Sequence, residues 1–211
     1  VAKLRGHEVT LYDKGQRLGG QLILASKSPH KDGIVNFLNY FRRQVTNLGI
    51  NIELNNEVTP KLIEEIKPDT VILATGLTPL IPEIPGMNTE KVFLAEEVLT
   101  GKAELGERVV VIGAGLVGCE TAELLLEKGR EVTILEMLDT PPGRPSRVFR
   151  LLLKRLAAKR VRMLTGVKCE RLSEEGLTII NREGERHTLQ ADAIVLAAGG
   201  KPNQQLFQTV K

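Results

Sequence analysis

Apolar and polar positions recur along this chain in two periods, and the switches between them outline its elements. The β-branched runs Val109-Val110-Val111-Ile112 and Val132-Thr133-Ile134-Leu135 read as buried strands. Between them Glu120, Ala122, Leu125 and Leu126 fall in an alternation of apolar and charged residues at helical spacing. The first run meets Gly113-Ala114-Gly115-Leu116-Val117-Gly118, and the second ends on Glu136. Strand, glycine turn, helix, strand and acid follow one another as in a dinucleotide-binding βαβ unit.

An earlier segment repeats part of this unit. Arg5 to Asp13 has the pattern of Glu127 to Glu136: a helix end, a glycine, then a strand closing on an acid. Two βαβ units are therefore expected, the first without its opening strand and glycine turn. Val1 to His7 reads as the last turn of a helix, so further chain is expected upstream. Leu18-Gly19-Gly20-Gln21 is a glycine-rich loop beyond Asp13, either a nucleotide loop or a plain turn. Ile34, Val35, Leu38, Phe41, Val45 and Leu48 give a crossover helix stopped by Gly49. Asn51 to Leu54 alternates as a strand, and Thr59-Pro60 opens a short helix through Ile66.

Thr70 to Ala74 predicts a buried strand running into Thr75-Gly76, and the Pro79, Pro82, Pro85 and Gly86 stretch predicts a linker and boundary. Downstream, Leu94 to Leu99 is a short helix, and Ser146 caps a helix carrying Val148, Leu151, Leu152 and Leu156. Short strands follow at 161–164, 168–172, 177–181 and 187–189, the middle ones as a meander. Ala193 to Gly200 then repeats the apolar-run-to-glycine pattern of Thr70 to Gly76. The expected domains are 1–86, 87–200, and 201–211 as a return to the first.

The glycines have separate tasks in such a turn. Gly113 permits the tight exit from the strand, Gly115 leaves room for a pyrophosphate, and Gly118 lets helix and strand pack closely. The helix presents its first N–H groups and about half a positive charge to the phosphates. Glu136, at the next strand's carboxyl end, is placed to accept hydrogen bonds from an adenosine ribose. Asp13 has the same position for a second nucleotide.

Composition narrows the function. Hydrophobic residues make up 42% of the 211, enough for real cores, and aromatics only 3%, so Leu, Ile and Val must fill them. The net charge of +3 comes from interspersed signs, so neither nucleic acid nor a membrane is an expected partner, and the cytoplasm is the expected compartment. Cys119 and Cys169 are too far apart in sequence to suggest a disulfide framework or zinc site, and Cys119 reads as a packing residue, not a disulfide reductase thiol. His7, His30 and His187 are scattered and read as surface residues.

Leu18-Gly19-Gly20-Gln21-Leu22, Ala74-Thr75-Gly76, and Gly118-Cys119-Glu120-Thr121-Ala122-Glu123 with Glu136-Met137-Leu138-Asp139 carry a resemblance across essentially the whole chain. It resembles the carboxyl-terminal region of NADH:flavin oxidoreductases of the 2,4-dienoyl-CoA reductase and trimethylamine dehydrogenase type. The implied fold is α/β: a Rossmann-like flavoprotein fold with two dinucleotide-binding domains, the NAD(P) domain intact and the FAD domain truncated. The implied chemistry is a relay from a nicotinamide cofactor to FAD, then through an iron–sulfur cluster to FMN in an upstream barrel that reduces an activated alkene. FMN and the cluster belong to that absent barrel, since two cysteines cannot supply a four-cysteine site.

The resemblance also implies residue roles. Gly113, Gly115, Leu116, Val117 and Gly118 would line the pyrophosphate turn, Glu136 the ribose, and Gly199, Gly200 and Lys201 the crevice at the strand ends. Glu120 would sit near the nicotinamide, although the helix dipole alone also favours an acid in a first turn. On the flavin side Asp13, Lys14, Arg17, Gly19, Gly20, Gln21, Thr75 and Gly76 are implied. Glu136 favours NADH by repelling a 2′-phosphate, while Arg144 and Arg147 in the following loop leave NADPH open. Two functions stay in view: an electron-input module of a flavin oxidoreductase, or a domain holding ADP or an adenine moiety for structural reasons. The oligomeric state is left open.

Overall fold

A computed structural model describes residues 1–142 and 146–210, and the chain divides into two compact units, Val1–Thr78 with Pro202–Lys211, and Pro79–Lys201. In the first unit a 3₁₀ turn over Lys3–Arg5 is closed by Gly6 in the left-handed region, φ 87°. Strand β1 (Thr10–Asp13), helices α1 (Gln21–Ala25) and α2 (Asp32–Asn47), strand β2 (Asn51–Leu54), helix α3 (Pro60–Ile66) and strand β3 (Leu77–Pro79) follow. β1 and β2 pair in parallel, Thr10 opposite Asn51 and Asp13 opposite Leu54, with α2 as the crossover. The Thr59 hydroxyl caps α3 by accepting from Leu62 N–H at 3.2 Å, with Pro60 just inside the helix.

Thr70–Ala74 departs from expectation. The segment takes no regular structure, and Ile72 is 83% exposed. An apolar run becomes a strand only where a neighbouring strand completes its hydrogen-bond ladder, and among the described residues none pairs with it.

The second unit holds β4 (Val92–Leu94), α4 (Ala95–Thr100), β5 (Arg108–Ile112), α5 (Leu116–Glu127), β6 (Glu131–Glu136), α6 (Arg147–Ala158) and β7 (Arg162–Thr165). The meander strands β8 (Lys168–Ser173), β9 (Gly176–Ile180) and β10 (Arg186–Leu189) come next, then β11 (Ala193–Leu196) and β12 (Gly200–Pro202). The last helix, α7 (Gln205–Thr209), lies in the first unit.

Five strands form a parallel sheet in the order β4-β11-β5-β6-β7. A parallel sheet is buried on both faces, which explains the unbroken β-branched runs. Val109 and Val111 point into one core with Ala122, Leu125, Ile134, Phe149, Leu152 and Leu156, contributed largely by α5 and α6. Val110 points into another with Leu135, Val167, Leu177, Ile179 and Ile194, built with the antiparallel meander. Each fully buried Leu or Ile contributes about 1.5–3 kcal/mol relative to exposure. Helices α5 and α6 are further joined by Arg155, whose Nε and Nη2 donate to both oxygens of the buried Glu123 at 2.6 and 2.8 Å, and by Lys159 to Glu127 at 3.2 Å.

The compact units divide at residue 78, eight residues before the boundary expected at 86. Prolines interrupt regular structure here, but residues 79–86 are held inside the second unit. Pro85 accepts from Leu172 N–H at 2.8 Å, Ile84 packs on the second core, and a Cβ on Gly86 would stand 2.0 Å from the Leu172 carbonyl oxygen.

At the sheet's amino edge, Arg108 donates from Nη2 to Asp192 at 2.8 Å, and its backbone N–H donates to the same carboxylate at 2.8 Å, joining β5 to the start of β11. The Arg108 side chain, followed by its N–H, holds the Asp192 carboxyl down to about 2. A depressed carboxyl stabilises the fold fully above its unfolded value near 3.8 and ceases to do so as pH falls through about 2. Asp192→Asn should therefore lower the melting temperature at neutral pH, and the difference from wild type should close as acid is added towards pH 2. Melting curves across that range check this.

Candidate functional site

Three strands deliver the expected residues of the second unit to one place, the carboxyl edge of the parallel sheet. β5 runs into Gly113, whose φ of 108° lies where side chains are strained and whose Cβ would meet the Ala197 carbonyl oxygen at 2.4 Å. Gly118, in the first turn of α5, has even less room, since a Cβ there would fall 1.9 Å from the Gly113 carbonyl oxygen. These two glycines bring helix α5 and the end of β11 against the turn. Gly115 differs from both. Its backbone is extended, φ −69° and ψ 179°, and the nearest atom to its Cβ position is Pro142 Cγ at 3.8 Å. The room over Gly115 has no steric use inside the fold, as expected where a pyrophosphate approaches.

Helix α5 starts at Leu116, and its first main-chain bond runs from Cys119 N–H to the Gly115 carbonyl at 3.0 Å. The N–H groups of Leu116, Val117 and Gly118 precede that bond and point out of the helix start, where the dipole favours an anion. The side chains of Leu116 and Val117 are exposed despite being apolar, as are those of Met137 and Leu138 after β6.

Glu136 closes the turn. It is buried, its Oε2 accepts from Ala114 N–H at 2.9 Å, and its Oε1 accepts from Leu138 N–H at 2.9 Å. A carboxylate has about four acceptor positions, so two backbone bonds fix its orientation and leave capacity for ribose hydroxyls. The sequence identified the acid but not its main-chain partners.

Glu120 is the fifth residue of α5, at the start of its second turn, and is buried. Dipole stabilisation fades beyond the first turn, so the dipole does not account for this acid. Cys119 beside it is fully buried, and its Sγ donates to the Ala114 carbonyl at 3.4 Å. Burial, followed by the charges of Glu120 and Glu136, pushes its thiol up to about 12, and burial pushes Cys169 up to about 11. Both cysteines are free, and neither has the low pKa of a reactive thiol.

From the third strand, Ala197 N–H donates to the Ile112 carbonyl at 2.9 Å, so the chain leaving β11 passes beside the glycine turn. Gly199 follows with φ 92°, its carbonyl accepting from Leu80 N–H at 2.9 Å, and Gly200 and Lys201 open β12 as exposed residues. Arg147 begins α6 and is exposed; Arg144 lies outside the described residues.

In the first unit the Asp13 carboxylate accepts from Gly15 N–H at 2.7 Å, forming a local turn, and the Asp13 carbonyl accepts from Asn56 N–H at 3.1 Å. Lys14 reaches Glu57 at 4.0 Å, both exposed. Gly19, φ 134°, packs its backbone against Leu38 and Ile23, whose side chains would lie 2.8 and 2.9 Å from a Cβ. The Leu18 carbonyl accepts from Arg42 at 2.9 and 2.6 Å, so this loop is a built turn on α2. Arg17 lines a shallow hollow with Ile23, Val35 and Leu38, while Gly20 and Gln21 begin α1 on the surface. The Thr75 hydroxyl donates to the Asn203 carbonyl at 2.5 Å, and the Gly76 carbonyl accepts from Asn203 N–H at 2.9 Å.

Among the described residues no helix is long and apolar enough to cross a membrane. The NADH oxidase of Thermoanaerobacter brockii is 38% identical over 207 residues, covering 96% of this chain and 32% of that protein. The cinnamate reductase of Clostridium sporogenes is 34% identical, covering all of this chain and 32% of that protein. A solved structure of 2-naphthoyl-CoA reductase with 2-naphthoyl-CoA superposes with a TM-score of 0.90 at 32% identity, covering 100% of this chain and 32% of that one. The chain thus spans about a third of the length of the curated relatives it matches. A family model described as pyridine nucleotide-disulphide oxidoreductase matches residues 1–211, and with the Rossmann-type sheet and glycine turn described above, this chain belongs to that family of flavoprotein oxidoreductases.

Proposed function

We propose that this chain is the pyridine nucleotide-binding, electron-input module of a flavin-dependent oxidoreductase. The observation that carries the reading is the turn itself: Gly113 and Gly118 have no room for a side chain, Gly115 has room to spare, and Glu136 is locked to the turn through Ala114 N–H. A bound NADH, with NADPH as the alternative, would supply two electrons as a hydride to FAD. The residues position it. The N–H groups of Leu116 to Gly118 hold the pyrophosphate, Glu136 accepts from the adenosine ribose, and exposed Leu116, Val117, Met137 and Leu138 cover the apolar parts of the ligand. Glu120 and the Gly199–Lys201 segment face the nicotinamide end. Hydride transfer needs orientation and exclusion of water from these groups more than an acid–base residue.

FAD would be held on the first unit by Asp13, Lys14, Arg17, Gly19, Gly20, Gln21, Thr75 and Gly76. The cinnamate and 2-naphthoyl-CoA reductases among the relatives support reduction of an activated alkene of the enoyl or dienoyl class. That step would lie in an upstream barrel of the same polypeptide, with FMN and the iron–sulfur cluster, and the input module alone would not perform it.

Calorimetric titration with NADH, NADPH and ADP tests this reading. NADH is expected to bind more tightly than ADP. Glu136→Ala removes the ribose acceptor and the partner of a buried N–H, and should weaken NADH about tenfold while costing about 1–3 kcal/mol of stability. If ADP binds as well as NADH, the chain is instead a structural adenine nucleotide-binding domain.

A further inference from the structure

The ion pair between Asp139 and Arg182 has no part in the site as described so far. Asp139 stands three residues beyond Glu136, and Arg182 comes from the turn between β9 and β10. Several contacts tie the pair to the backbone beside Glu136. Glu136 Oε1 accepts from Leu138 N–H at 2.9 Å, and the Leu138 carbonyl accepts from Gly166 N–H at 2.9 Å. A Cβ on Gly166 would lie 2.4 Å from Arg182 Nε, so the guanidinium rests on that same backbone. Pro142, on the Asp139 loop, is the nearest neighbour of the Gly115 Cβ position at 3.8 Å, so the loop passes beside Gly115 without filling the room over it. Both partners are more than half exposed, at 70% for Asp139 and 55% for Arg182.

We propose that Arg182 is a specificity residue for the dinucleotide and that Asp139 restrains it. The proposal rests on the reading of the Gly113–Gly118 turn as a nicotinamide dinucleotide site. Asp139 occupies the guanidinium and adds a second carboxylate near the ribose after Glu136, and together these favour a free 2′-hydroxyl over a 2′-phosphate. Exposed ion pairs are weak, whereas a guanidinium meets a phosphate bidentately. Once the Asp139 charge is removed, Arg182 exchanges its partner for the 2′-phosphate.

The test is titration of the full 211-residue chain with NADH and NADPH, in wild type, Asp139→Asn, Arg182→Gln and the double variant. Wild type prefers NADH. Asp139→Asn raises NADPH affinity relative to NADH by about tenfold, the size of one charge-assisted contact to a phosphate. Arg182→Gln lowers that ratio, and the double variant loses the gain. An unchanged ratio in Asp139→Asn overturns the proposal. So does a gain that survives in the double variant, because Asp139 would then act by repulsion without Arg182. If the wild-type chain binds neither dinucleotide, the site reading itself fails, and this inference with it.

Discussion

Gly113→Ala is expected to destabilise the second unit by about 3 kcal/mol, at the upper end of what overpacking costs, because two penalties fall on one methyl group. The backbone there has φ 108°, which an alanine adopts only with strain, and the methyl would lie 2.4 Å from the carbonyl oxygen of Ala197. The neighbour is main chain of the strand exit, so it cannot swing aside as a long side chain would. At roughly 2–4 °C per kcal/mol for a chain of this size, the melting temperature should fall by about 6–12 °C. Thermal unfolding followed by circular dichroism reads this directly, and an unchanged melting temperature would mean that the turn relaxes freely.

Gly115→Ala should behave in the opposite way. Its φ of −69° is ordinary and the new methyl would meet only Pro142 Cγ at 3.8 Å, so stability should stay within about 0.5 kcal/mol of wild type. The methyl would stand where the backbone must approach a pyrophosphate, at the start of α5. Loss of one charge-assisted contact there weakens binding of NADH by about tenfold or more. Both effects are read from one preparation, the melting curve for the fold and a titration for the ligand. Two glycines two residues apart thus separate the needs of folding from the needs of binding.

Much of the second unit was legible because its sheet is buried on both faces. Val109–Ile112, Val132–Leu135 and Ala193–Leu196 could satisfy both cores only as unbroken apolar strands, and the turn glycines follow from close packing at the strand ends. Thr70–Ala74 has the same composition and no described partner strand, so the same signal failed there. In the proline run local composition hides a long-range tie: Pro85 breaks regular structure locally, yet its carbonyl accepts from Leu172, a partner 87 residues away in the sequence. Side-chain partners were the least legible. Glu123 with Arg155 and Asp139 with Arg182 join residues 32 and 43 positions apart, and nothing in local spacing pairs them. For Glu136 the sequence supplied the acid at a strand end, and only the fold showed its two oxygens committed to Ala114 and Leu138.

The most direct measurement of dinucleotide binding is amide hydrogen exchange of the chain alone, with ADP and with NADH. ADP should slow exchange at Leu116 to Gly118 and around Glu136. NADH should do the same and also protect the segment from Ala197 to Lys201, where the proposed electron-input role puts the nicotinamide end. Identical protection by the two ligands, or protection by NADH at neither segment, would contradict an electron-input role for this crevice.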